Sequence, residues 1–252
     1  MKALFTRNNS ITALSILIIL VIWELLARSM NSSAILPGPW LSFRTFLSFW
    51  YDASFYQALG STLIRGLMGF ALAFLVSLLV GIPSGLSPAI EAFFAPILVI
   101  IRSTPVISII LLALIWFKVE HVPVFISFLT MFPILTTNLT EGIKAVDKGI
   151  ITMAQVYNVK NIRIIREIYL PGLLPFIFSG LITAVGFGWR AIIIGEVLSQ
   201  PRFGIGTGMQ KAQSYLLVAD LIAWTLVAVL IGFIFEILIK KALKPHTHWY
   251  TT

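Results

Sequence analysis

Cysteine is absent from this sequence of 252 residues, histidine occurs three times, and charged side chains make up only 11%. Without cysteine there is no disulfide framework, no thiolate metal site and no thiol nucleophile. The histidines, His121, His246 and His248, are scattered, and no group of ligand-type side chains recurs at ligand spacing. Neither a metal centre nor a catalytic acid/base constellation is therefore expected. A G-x-x-x-x-G-K-[ST] stretch is also lacking, so the chain offers no P-loop for ATP. GIGTG at 204–208 lacks the lysine and is expected to be a flexible outer loop. Soluble domains are roughly a quarter charged. This chain falls below half of that, with 58% apolar residues and a mean hydropathy of +0.97, and so reads as embedded in lipid.

What is present fits that environment. A bilayer core needs about 20 apolar residues at helical rise, and six runs are long enough: 11–28, 61–84, 92–117, 122–142, 173–198 and 215–239. The expected fold is an all-α membrane protein with six transmembrane helices. Lys2 and Arg7 precede the first run in the manner of a signal peptide, but Glu24 and Arg28 lie in its distal end. No small-x-small cleavage site precedes Asn31, so a retained anchor is expected.

Six spans place both termini on one side. That side collects Lys2, Arg7, Lys144, Lys148, Lys160, Arg163, Arg166, Lys240, Lys241 and Lys244, against Arg28, Arg44, Arg65, Lys118, Arg202 and Lys211 opposite. The richer side is expected to be cytoplasmic. The net charge of +8 is then a matter of topology, and no nucleic-acid partner is implied.

Between the first two spans, residues 34–60 carry Trp40, Phe43, Phe46, Phe49, Trp50, Phe55 and Tyr56 at three- and four-residue steps. This spacing suits an outer amphipathic helix lying in the interface. RSTP at 102–105 and FP at 132–133 should kink the third and fourth spans. In the fifth, GFGW at 186–189 precedes Arg190 and then Glu196. An arginine inside a span usually faces protein or a watery cavity. Arg190 therefore lines a path, pairs with Glu196, or sits at a helix end.

The cytoplasmic stretch 144–172 predicts two short helices. In 148–157, Ile150, Met153, Ala154 and Tyr157 share one face; in 160–169, Ile162, Ile165, Ile168 and Tyr169 do likewise. Asn158, at the junction, tolerates the left-handed conformation that ends a helix. Pro171 is expected to stop the second helix, with Gly172 and Pro175 opening the next span. Neither helix is stable alone in water. The pair reads either as a basic handle for a partner or as an amphipathic loop on the lipid surface.

That stretch resembles the cytoplasmic loop of binding-protein-dependent ABC importer permeases. The family signature is Glu-Ala-Ala, a glycine after three further residues, and Leu-Pro about a dozen residues later. Counting back from Leu170 and Pro171 places the triplet on Thr152, Met153 and Ala154, and the glycine on Asn158. Only Ala154 and the Leu-Pro pair match literally. The resemblance extends over 34–208. It includes LPGP at 36–39, STLIRGLMGF at 61–70, P-x-L-x-x-x-R-S-x-P at 96–105, LIWF at 114–117 and GEVLSQPRFGIG at 195–206. These are similar to the branch importing sulfonates, taurine, nitrate and vitamin precursors.

The resemblance implies a type I ABC importer permease fold, working as a homodimer in the inner membrane. Its partners would be two copies of a cytoplasmic ATP-binding subunit and a periplasmic or lipid-anchored solute-binding protein. ATP and Mg would sit in the ATPase, and this chain would bind no cofactor. The loop would be a coupling helix, with Asn158, Val159, Lys160, Arg163, Arg166, Leu170 and Pro171 facing the ATPase. Arg102, Pro105, Met131, Arg190 and Glu196 are the pathway candidates. An ion-gradient-driven carrier is the alternative, but such folds favour internal repeats and acidic relays. No repeat links the two halves, and Glu196 is the only acid deep in a span. A membrane enzyme would need the constellation already found lacking.

Overall fold

The computed structural model describes residues 2–243. Lys244, His246 and His248 lie outside the described residues. Among those described, the chain forms helices at Lys2–Met30 (α1), Pro39–Ser48 (α2), Ala53–Leu86 (α3), Pro88–Ser103 (α4), Val106–Trp116 (α5), Val122–Lys144 (α6), Lys148–Val156 (α7), Asn161–Ile164 (α8), Leu170–Ser199 (α9), Ile205–Ser214 (α10) and Val218–Leu243 (α11). Helices α1, α3, α6, α9 and α11 are each long and apolar enough to cross a membrane.

At the centre stands α6, with α3 and α9 packed along it. Small residues set this contact, as they must where lipid competes with protein for apolar surface. On α3, Gly69, Ala73, Ser77, Gly81 and Gly85 recur every four residues and form one ridge. A methyl group on Gly81 would lie 2.8 Å from Leu139 Cβ, and one on Gly85 would lie 2.6 Å from Ile143 Cβ. With the backbones this close, hydroxyls bridge them. Ser77 Oγ donates to the Phe132 carbonyl at 3.1 Å, and Thr140 Oγ1 to the Gly81 carbonyl at 3.2 Å. The two helices run parallel. Helix α9 runs antiparallel to α6, with Gly180 against Asn138, Gly188 against Met131 and Gly195 against Pro123.

Overpacking such a contact costs about 1–3 kcal/mol. Gly81→Val should therefore lower the unfolding temperature in detergent by several degrees. Gly60→Val, where an added Cβ meets nothing within 4 Å, should not.

The expected third span is not one kinked helix. α4 and α5 are bent by 98°. Pro105 has no N–H to continue the helix, and it drives Thr104 into an extended conformation (φ −73°, ψ 127°). Ser103 and Thr104 hydroxyls donate back to the Val99 and Ile100 carbonyls and close the end. Even so, the pair runs from one end of the bundle to the other. At its start, Glu91 meets Lys144 at the end of α6, and at its finish the Phe117 ring packs at a tilt against Phe125 at the start of α6. Six passages result.

The aromatic stretch 34–60 also differs from one interfacial helix. Only α2 and a 3₁₀ turn, Phe49–Tyr51, precede a break at Asp52. Asp52 then caps α3, accepting from Ser54 N–H at 2.8 Å. Hydrogen bonds from the Ser54 hydroxyl and then its N–H hold this carboxyl below the usual carboxylate range, so the cap is intact at neutral pH and weakens only in acid. Phe46, Phe49 and Phe55 turn inward to Trp224, Ile205 and Trp189, while Trp40 stays exposed. GIGTG at 204–208 is not a flexible loop. It begins α10, with Ile205 fully buried and Gly206 pressed against the Ile193 carbonyl.

Candidate functional site

Three regions carry the polar chemistry. The first is the projection between α6 and α9. Asp147 caps α7, accepting from Gly149 N–H at 2.7 Å. The helix ends as a Schellman motif: Val159 N–H donates to the Ala154 carbonyl and Asn158 N–H to that of Gln155, both at 2.9 Å. Asn158 sits at φ 53°, the left-handed region expected of it. After extended residues, α8 runs through a π-helical turn, Ile165–Tyr169, directly into α9.

Pro171 therefore does not stop a helix; it lies in the first turn of α9. The widened turn explains this. Leu170 N–H reaches back five residues to the Ile165 carbonyl, so the ladder has already shifted where Pro171 lacks a donor. The extra residue also rotates the apolar face. Ile164, Ile168 and Tyr169 pack inward, whereas Ile162 and Ile165, expected inside, are exposed. In α7 only Ala154 is buried, with Ile151 against the core beside it; Ile150, Met153 and Tyr157 remain open. Lys160, Arg163, Arg166 and Leu170 are exposed, and Arg163 holds Glu167 one turn on at 2.8 Å.

The second region is a cleft of about 270 Å³ at the α4–α5 bend, lined by Arg102, Thr104, Thr130, Pro133 and Phe187 among others. The Arg102 guanidinium donates to the Pro133 carbonyl at 3.0 Å and to Thr137 Oγ1, which holds it against α6 at the side of the cleft.

The third is a buried ionic knot. Glu196 is 0% exposed, yet every oxygen is engaged. Arg65 Nη1 donates to it at 2.7 Å, Thr62 Oγ1 at 2.9 Å and Gly206 N–H at 3.0 Å. Arg65 also donates to the Phe203 carbonyl at 2.7 Å and pairs with Glu120, whose other oxygen takes Arg202 N–H at 2.8 Å. Gly204 must be glycine here, since its Cβ would meet the Glu196 carboxylate at 2.6 Å.

The five pathway candidates are not brought together. Arg102 and Pro105 share the bend. Met131 is buried between α6 and Gly188 of α9. Arg190 opens onto a separate cleft between α9 and α11, 5.9 Å from the Phe187 ring. Glu196 does not pair with Arg190, because six residues along α9 place the two on different faces. Its partner is Arg65, a residue expected only among the outer-side charges. The signal was present in STLIRG: Thr62 and Arg65 share a face one turn apart, in a run that offers arginine no other partner.

A family model, binding-protein-dependent transport system inner membrane component, matches residues 73–244, more than half of the chain. The chain belongs to this family. The matched permease region starts within α3 and includes the central bundle, the projection and α11. The first anchor, whose span has no buried residue, precedes it. The permease is 28% identical to the taurine transport system permease protein TauC of Escherichia coli K12 over 252 residues, covering 97% of this chain and 91% of that protein. It is 29% identical to the bicarbonate transport system permease protein CmpB of Synechococcus elongatus, covering 81% and 77% of the two chains. It is 26% identical to the aliphatic sulfonates transport permease protein SsuC of Bacillus subtilis, covering 90% and 84%. The protein is thus the multi-pass inner-membrane permease subunit of a binding-protein-dependent ABC importer, a transport subunit that works with a solute-binding protein and an ATPase.

Proposed function

We propose that this permease forms a homodimer, seats its projection on two ATP-binding subunits in the cytoplasm, and imports a small anion of the sulfonate or related class. The observation that carries the reading is the uncovered apolar surface on the projection. Tyr157 is 77% exposed and Ile162 70% exposed, on a segment whose Lys148, Lys160, Arg163 and Arg166 favour the cytoplasmic side. Apolar side chains in water beside arginines are what a protein partner covers.

ATP and its Mg²⁺ belong to that partner. Closure of the ATPase pair pushes the two projections together, and the bundles rock between inward- and outward-open arrangements. A solute-binding protein delivers the solute at the opposite face, near 118–122 and 199–204. The anion assignment rests on the named cargoes of the relatives and on Arg102 beside a threonine-lined cleft.

The test is retention of the ATP-binding subunit. After co-expression, affinity-purified permease should hold it, and a Tyr157→Asp, Ile162→Asp variant should lose at least tenfold of the bound ATPase while eluting at the same volume. Undiminished retention in that variant, with normal uptake, would refute the seat proposed here.

A further inference from the structure

Beneath the projection, where α7 passes the end of α3, lies a cleft of about 360 Å³ whose polar lining is Ser84, Glu91, Lys144, Lys148 and Tyr169. Ser84 is 3% exposed, and its hydroxyl has no hydrogen-bond partner. A helical serine normally satisfies itself on a carbonyl of the preceding turn, and a buried hydroxyl left unpaired is costly. The hydroxyl is left for a water or a ligand to satisfy. The Tyr169 phenol and the Lys148 ammonium also lack a partner among the described residues. The acids nearby each meet Lys144 through one oxygen, Glu91 at 2.5 Å and Glu141 at 3.6 Å.

Two hydroxyls and the ammonium groups of Lys144 and Lys148 thus line one cleft against a single carboxylate, Glu91, which Lys144 holds through one oxygen. Such a set receives an oxyanion. Its depth selects which one. α3 ends at Leu86 and α6 at Lys144, so the cleft sits where the apolar spans stop and phosphodiesters begin. Leu86 and Ile151 provide apolar walls beside the donors, as an acyl-bearing ligand needs.

We propose that this cleft binds a phosphate group, carried by an anionic phospholipid. The site goes beyond the transport reading above. An occupant joins the α3–α4 turn to α7 and to the π turn, and so pins the root of the projection.

The test uses the full-length permease, purified, delipidated and without ATPase, so that its outcome is independent of coupling. Phosphatidylglycerol at saturation should raise Tm by roughly 5 °C and stay bound in native mass spectrometry. Phosphatidylcholine should do less. Lys148→Ala combined with Tyr169→Phe should weaken lipid binding at least tenfold, and Ser84→Ala should weaken it without lowering the Tm of the lipid-free protein. A rise with inorganic phosphate alone, lost in the same variant, would keep the site and assign it to a soluble anion. The proposal is overturned if no phosphate compound shifts Tm, if phosphatidylcholine matches phosphatidylglycerol, or if the double variant responds like wild type.

Discussion

Reversing Arg163 and Arg166 together to glutamate should cut solute uptake and solute-stimulated ATP hydrolysis by at least tenfold in the reconstituted importer, with the melting temperature unchanged. Both side chains are exposed and neither supports the fold. Arg163 reaches only Glu167 on its own helix, at 2.8 Å, and an exposed pair of that kind is worth a fraction of a kcal/mol. Removing charge-assisted contacts from a covered interface costs 2–5 kcal/mol, and each 1.4 kcal/mol is tenfold in binding. The disproportion separates the two outcomes. If uptake and stimulated hydrolysis persist in the double variant, the projection is not where force enters. If the protein unfolds instead, the arginines are structural.

The second large effect belongs to the knot around Glu196. Arg65→Met should lower the melting temperature of detergent-solubilised permease by roughly 10 °C, because it strands a carboxylate with no exposure. Breaking one half of a buried pair costs about 3–5 kcal/mol, whereas replacing both halves with apolar side chains of similar size is often neutral. Arg65→Met combined with Glu196→Met should therefore recover most of the loss. The recovery is the informative readout. If the double variant melts as low as the single, the arginine acts by packing and its charge is incidental. If Arg65→Met melts within a degree or two of wild type, water or a proton already compensates Glu196.

How much of this was legible in the sequence depends on the range of the interaction. Asn158 could be placed in the left-handed region because the demand is local: a helix must end, and asparagine ends it at small cost. The apolar runs likewise located the crossing helices. Pro105 announced a break but not its angle, because 98° is set by what α5 packs against, not by the proline. The π turn at Ile165–Tyr169 left no mark in the periodicity, and it displaced the inward face by one residue. The Arg65–Glu196 pair spans 131 residues, so no window along the chain contains both. It was accessible only by asking what a lone arginine in an apolar run requires.

The stretch from Asn161 to Ser199 is one helical length of 39 residues, roughly 58 Å at 1.5 Å per residue. At one end are the arginines of the projection, and at the other Glu196, clamped to α3. A strut of this length acts as a lever arm, and each degree of tilt displaces its far end by roughly 1 Å. A tilt of a few degrees at the projection therefore carries through to the Glu196 end as a shift of several ångströms. The stiffness of the strut decides how little of that stroke is lost on the way.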